Sequence, residues 1–261
     1  MTPFYNSEDF MVFRRKCEKS NKFSNFSIYK ANKIFYTVTE VMFVELLMKK
    51  IIEKTAKNMD IFKDGFPKAE EKGTYNLVSL NQWTNGFWPG ILWLCYKYSK
   101  DEKFRNLAES LEKKLDELLF TRTMPQHDVG FVWLLTSGMN YKITQNDESK
   151  RRILQAADHL AARFNIKGNF IRAWDKEDTA GVAIIDCMLN IPILFLASEF
   201  TKDSRYAHIA KAHADKTLKY FIDEDGGVRH QCKFDGETGR LVEVRGGQGY
   251  SPESYWSRGA G

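Results

Sequence analysis

The sequence predicts an all-α protein, a toroid of helical hairpins set side by side. Three observations predict it. Amphipathic segments with apolar residues at helical spacing alternate with segments that are apolar on most sides. Unusual motifs at Trp83, Asp128, Asp186 and Gln248 each precede or open a segment of the apolar kind. They fall roughly 45–60 residues apart, about one helical hairpin with its loops. Stacked helix pairs also fit an α-solenoid, but no shared signature is evident between the segments. If the inner helices stand parallel in a ring, their N-terminal ends lie at one rim, and the motifs meet there.

Residues 1–35 mix Ser, Asn, Lys and Phe without a clean period and are read as an N-terminal arm, with 36–261 as the toroid domain. Segment 41–59 carries Val44, Leu47, Met48, Ile51 and Ile52 at helical spacing. Segment 62–80, with Gly65, Pro67 and Gly73, is expected to be a connection. Segment 87–98 reads as a helix with Pro89 in its first turn, where a missing N–H does little harm. Segment 101–120 is amphipathic through Phe104, Leu107, Ala108, Leu111, Leu115, Leu118 and Leu119. Helices are further expected over 131–137, 147–164, 186–200 and 203–221, of which 186–200 is the most apolar.

With 261 residues, 43% of them hydrophobic, the chain can bury a sizeable core. Its 39 basic and 34 acidic residues leave a net charge of only +5, and no dense Lys/Arg tract with interleaved aromatics is present, so nucleic acid is not an expected partner. Cys17, Cys95, Cys187 and Cys232 are scattered, without CxxC or zinc spacing, and read as free thiols in a reducing compartment. No apolar run suggests a signal peptide or a membrane span, and a soluble, cytoplasmic protein is expected.

Two carboxylate motifs carry the chemistry. His127-Asp128-Val129-Gly130-Phe131 and Ile184-Ile185-Asp186-Cys187-Met188-Leu189-Asn190 each place one Asp among apolar neighbours at an expected helix start. A helix cap is the bland alternative for either alone. An apolar setting raises a carboxyl pKa and prepares the group to deliver a proton near neutrality. Asp186, on the drier segment, is the expected proton donor, and Asn190, four residues on, can lie on its face. The two acids are expected to face each other across a sugar-sized gap. His127 can orient Asp128 or touch a substrate oxygen. In Asn81-Gln82-Trp83-Thr84-Asn85-Gly86, aromatic and amide side chains suit the C–H faces and hydroxyls of a sugar. Gly246-Gly247-Gln248-Gly249 lacks the spacing and the Lys of a nucleotide loop. Gln248, Trp256 and Arg258 look like ligand contacts, with Arg258 able to clamp a carboxylate.

Taken together, WTNGFWPGILWL (83–94), HDVGF (127–131), IIDCMLN (184–190), RHQ (229–231) and GGQGYSPESYWSRG (246–259) resemble the unsaturated glucuronyl hydrolases of glycoside hydrolase family 88, from about residue 40 onward. The resemblance implies an (α/α)6 barrel of which about seven or eight of twelve helices are present. It implies removal of a 4,5-unsaturated uronic acid from the non-reducing end of lyase-generated, glycosaminoglycan-type oligosaccharides, by hydration of a vinyl ether. Asp186 would then be the general acid/base and Asp128 the second catalytic carboxylate. Trp83, Asn85, His127, His230, Gln248, Trp256 and Arg258 would contact substrate, with no metal or organic cofactor. Asn85 stands where Asp is common in the family. The chain stops inside the last motif, and a truncated sequence is expected. An unsaturated rhamnogalacturonyl hydrolase and an inactive carbohydrate-binding remnant are the alternatives.

Overall fold

The computed structural model describes the backbone of residues 25–121, 125–251 and 253–259, with side chains from residue 43 onward. The chain divides into two units, residues 1–53 and 54–261. In the first, residues 25–53 belong to one long helix, α1 (Asn25–Phe62). Residues 1–24 of the expected arm lie outside the described residues, and 25–35 are helical.

The second unit is built of hairpins. α2 (Phe87–Ser99) packs on α3 (Glu102–Lys114), which is followed by the short α4 (Asp116–Thr121). α5 (Val129–Trp133), a π-turn (Leu134–Gly138) and α6 (Met139–Thr144) form one broken rod that packs on α7 (Asp147–Ala162). α8 (Pro192–Thr201) packs on α9 (Ser204–Phe221). With α1 included and α5 and α6 counted as one rod, the nine α-helices among the described residues make eight rods. Trp93, Phe104, Leu111, Trp133, Ile153 and Leu160 are fully buried and form much of the core.

One device joins all three hairpins. The first helix of each ends on a residue in the left-handed region, at Lys100 (φ 59°), Gln145 (φ 60°) and Lys202 (φ 61°). The next residue caps the second helix: Asp101 accepts from Lys103 N at 3.1 Å, Asn146 from Ser149 N at 3.0 Å and Asp203 from Arg205 N at 2.9 Å. The preceding hydroxyl, on Ser99, Thr144 or Thr201, bonds a carbonyl four residues back. Ser99-Lys100-Asp101, Thr144-Gln145-Asn146 and Thr201-Lys202-Asp203 are therefore one repeated turn, a signature that the sequence reading missed.

Several expected boundaries need correction. Segment 101–120 is not one helix: Leu115 N turns back to Glu112 O, and Asp116 opens α4, where a carboxylate suits a helix N-terminus. Arg152 of α7 grips Asp116 at 2.5 and 2.7 Å and lies 3.4 Å from the buried Glu112. Glu112 also accepts from Asn140 at 2.6 Å and Ser149 at 2.7 Å, so this buried acid is fully partnered and ties α3, α6 and α7 together. The helix expected over 131–137 continues through the π-turn to Thr144.

Strands were not expected. Segment 62–80 contains an antiparallel hairpin, β1 (Phe66–Glu71) with β2 (Thr74–Val78), and β3 (Phe164–Asn165) pairs with β4 (Phe170–Ile171). A three-stranded antiparallel sheet joins β5 (Val182–Ile184), β6 (Gln231–Phe234) and β7 (Leu241–Arg245), with Ile184 opposite Gln231 and Gln231 opposite Arg245. These strands are too short for a period of two to stand out, and only the alternation of buried Cys232 and Phe234 marks β6.

Candidate active site

The first acid motif is held by its neighbours. A single 3-10 turn (Gln126–Asp128) leads into α5. His127 is 1% exposed, with Nδ1 2.7 Å from the Ala173 carbonyl oxygen. A carbonyl only accepts, so Nδ1 carries the proton and Nε2 is turned toward the acids. Nε2 lies 3.3 Å from Asp128 Oδ1 and 3.9 Å from Asp186 Oδ1, yet neither contact is aligned as a hydrogen bond.

Asp186 does not open an α-helix, as the sequence reading expected. It lies in a 3-10 segment (Ile185–Leu189) after β5, and α8 begins only at Pro192. Proline lacks the N–H that would extend an α-ladder back to Met188, but it suits the first helical position. Asn190 N and Ile191 N both turn back to Cys187 O, at 2.8 and 3.1 Å, and close the segment. Asp186 is thus presented by a tight turn at the end of a strand.

The Asp186 side chain is 37% exposed, but Oδ1 is buried without a hydrogen-bond partner. Burial raises its pKa above the usual carboxylate value; nearby His127 opposes the rise and Asp128 adds to it. Donor atoms of His127, Asp128 and Asp186 all lie within 4.8 Å of one another, close enough for their charges to interact or for the three to hold a metal ion. The two acids that were expected to face each other are thus brought together side by side.

The C-terminal motifs form a second cluster, joined to the first through backbone. Ile185 N donates to His230 O at 3.0 Å, beside the β5–β6 pairing. His230 is buried, and its Nδ1 accepts from Gln248 N at 2.9 Å, which leaves the ring proton on Nε2. Burial, reinforced by Arg258, lowers the His230 pKa and keeps the ring neutral. Gly247 makes this contact possible: its φ is +57°, and a Cβ there would fall 1.8 Å from His230 Nδ1. The Trp256 ring packs on His230 with centroids 4.2 Å apart. Arg258 lies 4.8 Å over Trp256 and donates to Gln248 Oε1 at 3.1 Å. His230, Gln248, Trp256 and Arg258 are thus brought together as one group, with Trp256 and Met188 packed on the same apolar cluster as Ile185.

Trp83 is 48% exposed, and its ring lies 6.1 Å from that of Phe131, in the Asp128 motif. Phe87 is 5.0 Å from Phe131 and completes an aromatic trio that the sequence reading did not single out. Asn85 is placed differently from the contact residue it was expected to be. It is 1% exposed, and its amide donates to the carbonyls of Ser79 at 3.0 Å and Leu80 at 2.6 Å, so it shapes the loop from inside. Asn190 was expected near Asp186 alone; it reaches both acid motifs, bonding Asp128 Oδ1 at 3.3 Å and Asp186 O at 3.4 Å.

The sequence profile described as Glycosyl Hydrolase Family 88 matches residues 51–261. The chain belongs to this family. It is 38% identical over 214 residues to an unsaturated chondroitin disaccharide hydrolase of Streptococcus pyogenes serotype M1, a match covering 80% of this chain and 53% of that protein. Its fold matches the crystal structure of the unsaturated glucuronyl hydrolase of Bacillus sp. GL1, described as responsible for the degradation of glycosaminoglycan. That match has TM-score 0.77 and 34% identity and covers 80% of this chain and 57% of that one. A mutant unsaturated glucuronyl hydrolase of Streptococcus agalactiae, complexed with dGlcA-GalNAc6S, matches with TM-score 0.65 and 32% identity, covering 81% and 53% of the two chains. The chain spans about half the length of these relatives. The all-α reading and the partial toroid of hairpins agree with this fold. Among the described residues, no helix is long and apolar enough to cross a membrane.

Proposed function

We propose that this chain carries the acid/base centre of a glycoside hydrolase that removes a 4,5-unsaturated uronic acid from the non-reducing end of a glycosaminoglycan-type oligosaccharide. The observation that carries the reading is Asp186 Oδ1, dry, partnerless and raised in proton affinity, beside Asp128 and His127. A carboxyl whose proton affinity is raised above the ordinary carboxylate value suits general acid catalysis. Asp186 would deliver its proton to C4 of the vinyl ether, leaving positive charge shared between C5 and the ring oxygen. Water would add at C5 and return a proton to the Asp186 carboxylate, regenerating the acid. The hemiketal would open and release the remaining sugar chain. One carboxyl thus acts as acid and then as base, and no covalent sugar intermediate is needed.

Asp128 would supply the negative charge beside the developing cation, with His127 orienting the pair. Trp256, Arg258, Gln248 and His230 would receive the uronate, Arg258 through its carboxylate, and Trp83 would offer an aromatic face. Relatives named for unsaturated chondroitin disaccharide and crystallised with dGlcA-GalNAc6S favour a glycosaminoglycan fragment over a rhamnogalacturonan one. Cys95, Cys187 and Cys232 are free and buried, which fits a reducing, cytoplasmic setting.

The test is incubation with an unsaturated chondroitin disaccharide while the ultraviolet absorbance of the vinyl carboxylate is followed. Decay that is lost in Asp186→Asn supports the reading. Binding without decay marks a carbohydrate-binding remnant, and decay confined to an unsaturated galacturonyl-rhamnose substrate marks the rhamnogalacturonyl alternative.

A further inference from the structure

We infer that Asn190 is a positioning residue that assigns unequal tasks to the two acids, holding negative charge on Asp128 and leaving the proton to Asp186. This rests on the acid/base reading proposed above.

Asn190 is 1% exposed and lies where the two motifs touch. A Cβ on Gly130 would fall 2.3 Å from the Asn190 carbonyl oxygen, so the backbones meet where only glycine fits. Both polar atoms of the Asn190 amide are engaged. Oδ1 accepts from Phe131 N at 2.6 Å, and Nδ2 reaches Asp128 Oδ1 at 3.3 Å and Asp186 O at 3.4 Å. The bond from Phe131 identifies Oδ1 as the acceptor, which turns Nδ2, the donor, toward Asp128.

The donor is shared unequally. Asp128 Oδ1 receives an amide N–H, whereas Asp186 Oδ1 is buried with no hydrogen bond. Two carboxylates this close resist being charged together, and a donor favours charge on the one it reaches. Of the other groups around the pair, His127 commits its Nδ1 proton to Ala173 O, Arg163 donates to that same carbonyl at 3.1 Å, and Cys187 is a buried thiol with a raised pKa. His213, whose charge His127 opposes, accepts from Ile171 N. None of these hydrogen-bonds Asp186 Oδ1. The Asp186 backbone N–H does favour charge on its own carboxyl, but burial outweighs it; among these side chains Asn190 is the one that hydrogen-bonds one acid's carboxylate and not the other's.

The experiment uses the isosteric substitution Asn190→Asp. It keeps the acceptor for Phe131 N and the shape of the site but replaces the donor with a second acceptor. Carboxyl carbon NMR of the 261-residue chain, with the signal assigned through Asp186→Asn, follows Asp186 against pH, whether or not the chain turns over. In the unmodified chain Asp186 is expected to keep its proton above the ordinary carboxylate range. In N190D, where no amide donor holds charge on the neighbouring acid, the Asp186 titration should shift by about one pH unit. Turnover of the unsaturated disaccharide at pH 7 should fall about 10²-fold in kcat with little change in KM. It should recover in part in acid, where the new carboxyl carries a proton to donate. Should N190D not fold, Asn190→Ser, too short to reach Asp128, gives the same reading. A variant that titrates and turns over like the unmodified chain overturns the inference. A chain in which Asp186 keeps its proton above the ordinary carboxylate range, and in which N190D shifts that titration, but which leaves the vinyl carboxylate intact overturns the hydrolase reading and not the positioning role.

Discussion

His127 Nδ1 and the Ala173 carbonyl oxygen, 2.7 Å apart, decide how the first acid motif works. The bond fixes which ring nitrogen is protonated and turns the other toward both carboxylates. Replacing His127 with Gln removes that orientation and should lower kcat about 10²-fold. Since His127 opposes the rise in the Asp186 pKa, its loss should move the alkaline limb of the rate profile to higher pH. Steady-state rates across pH check both effects.

Asp186 carries the clearest pH signature. Its pKa is raised, so it keeps the proton above the ordinary carboxylate range, and turnover should fall as pH climbs through the raised value. Asp186→Asn should lose at least about 10³-fold in rate. A group whose pKa rises on folding contributes stability below its unfolded pKa, and that contribution is lost as pH passes the folded value. At pH 7 the Asn variant, free of this buried charge, should therefore melt above the unmodified chain. Calorimetry with parallel assays separates gain in stability from loss of function.

His213 should dominate a separate, structural pH response. Burial pushes its pKa down to about 4, and its Nδ1 accepts from Ile171 N at 3.1 Å. The unfolded chain takes up this proton near pH 6.5 and the folded chain only near 4, so the stability contributed by the neutral ring is present above 6.5 and lost as pH falls toward 4. The loss is on the order of 3 kcal/mol. In His213→Asn the melting temperature should fall less between pH 7 and 4.5.

Arg258 should act through binding. Lysine at 258 keeps the charge but loses the planar stack on Trp256 and the bond to Gln248. KM should rise about 10-fold with kcat little changed, the pattern of lost uniform binding.

A chelator should leave turnover unchanged, because the proposed steps need only a proton donor and water. Loss of activity after dialysis against EDTA, restored by a divalent ion, would instead assign His127, Asp128 and Asp186 to a metal.

The helices were legible because their apolar stripes are long. The motifs were legible because Trp83, a rare residue type, stands in a polar turn and Asp128 stands among apolar neighbours. The position of Asp186 was misread for a local reason. Its apolar neighbours suit a helix, and the stop signal, Pro192, lies six residues downstream. Sheet β5–β6–β7 was missed because its pairing is non-local and its strands are short. Asn85 was misplaced because an amide in a polar turn looks the same in sequence whether it faces a ligand or its own loop. The repeated hairpin turn was present in the sequence, but only its cap geometry shows that Lys100, Gln145 and Lys202 are equivalent.

The antiparallel register between Ile184 and Gln231 has an evolutionary corollary. Adding or deleting one residue in either strand would slide the proton donor past the binding loop and turn alternate side chains to the opposite face. Length variation is far cheaper at the exposed residues 235–238 of the tip, which lie beyond the paired stretch on the far side from both clusters along the chain. Homologues that diversify their glycan preference, and engineers who graft new loops, should find insertions tolerated at that tip and selected against between Val182 and Asp186.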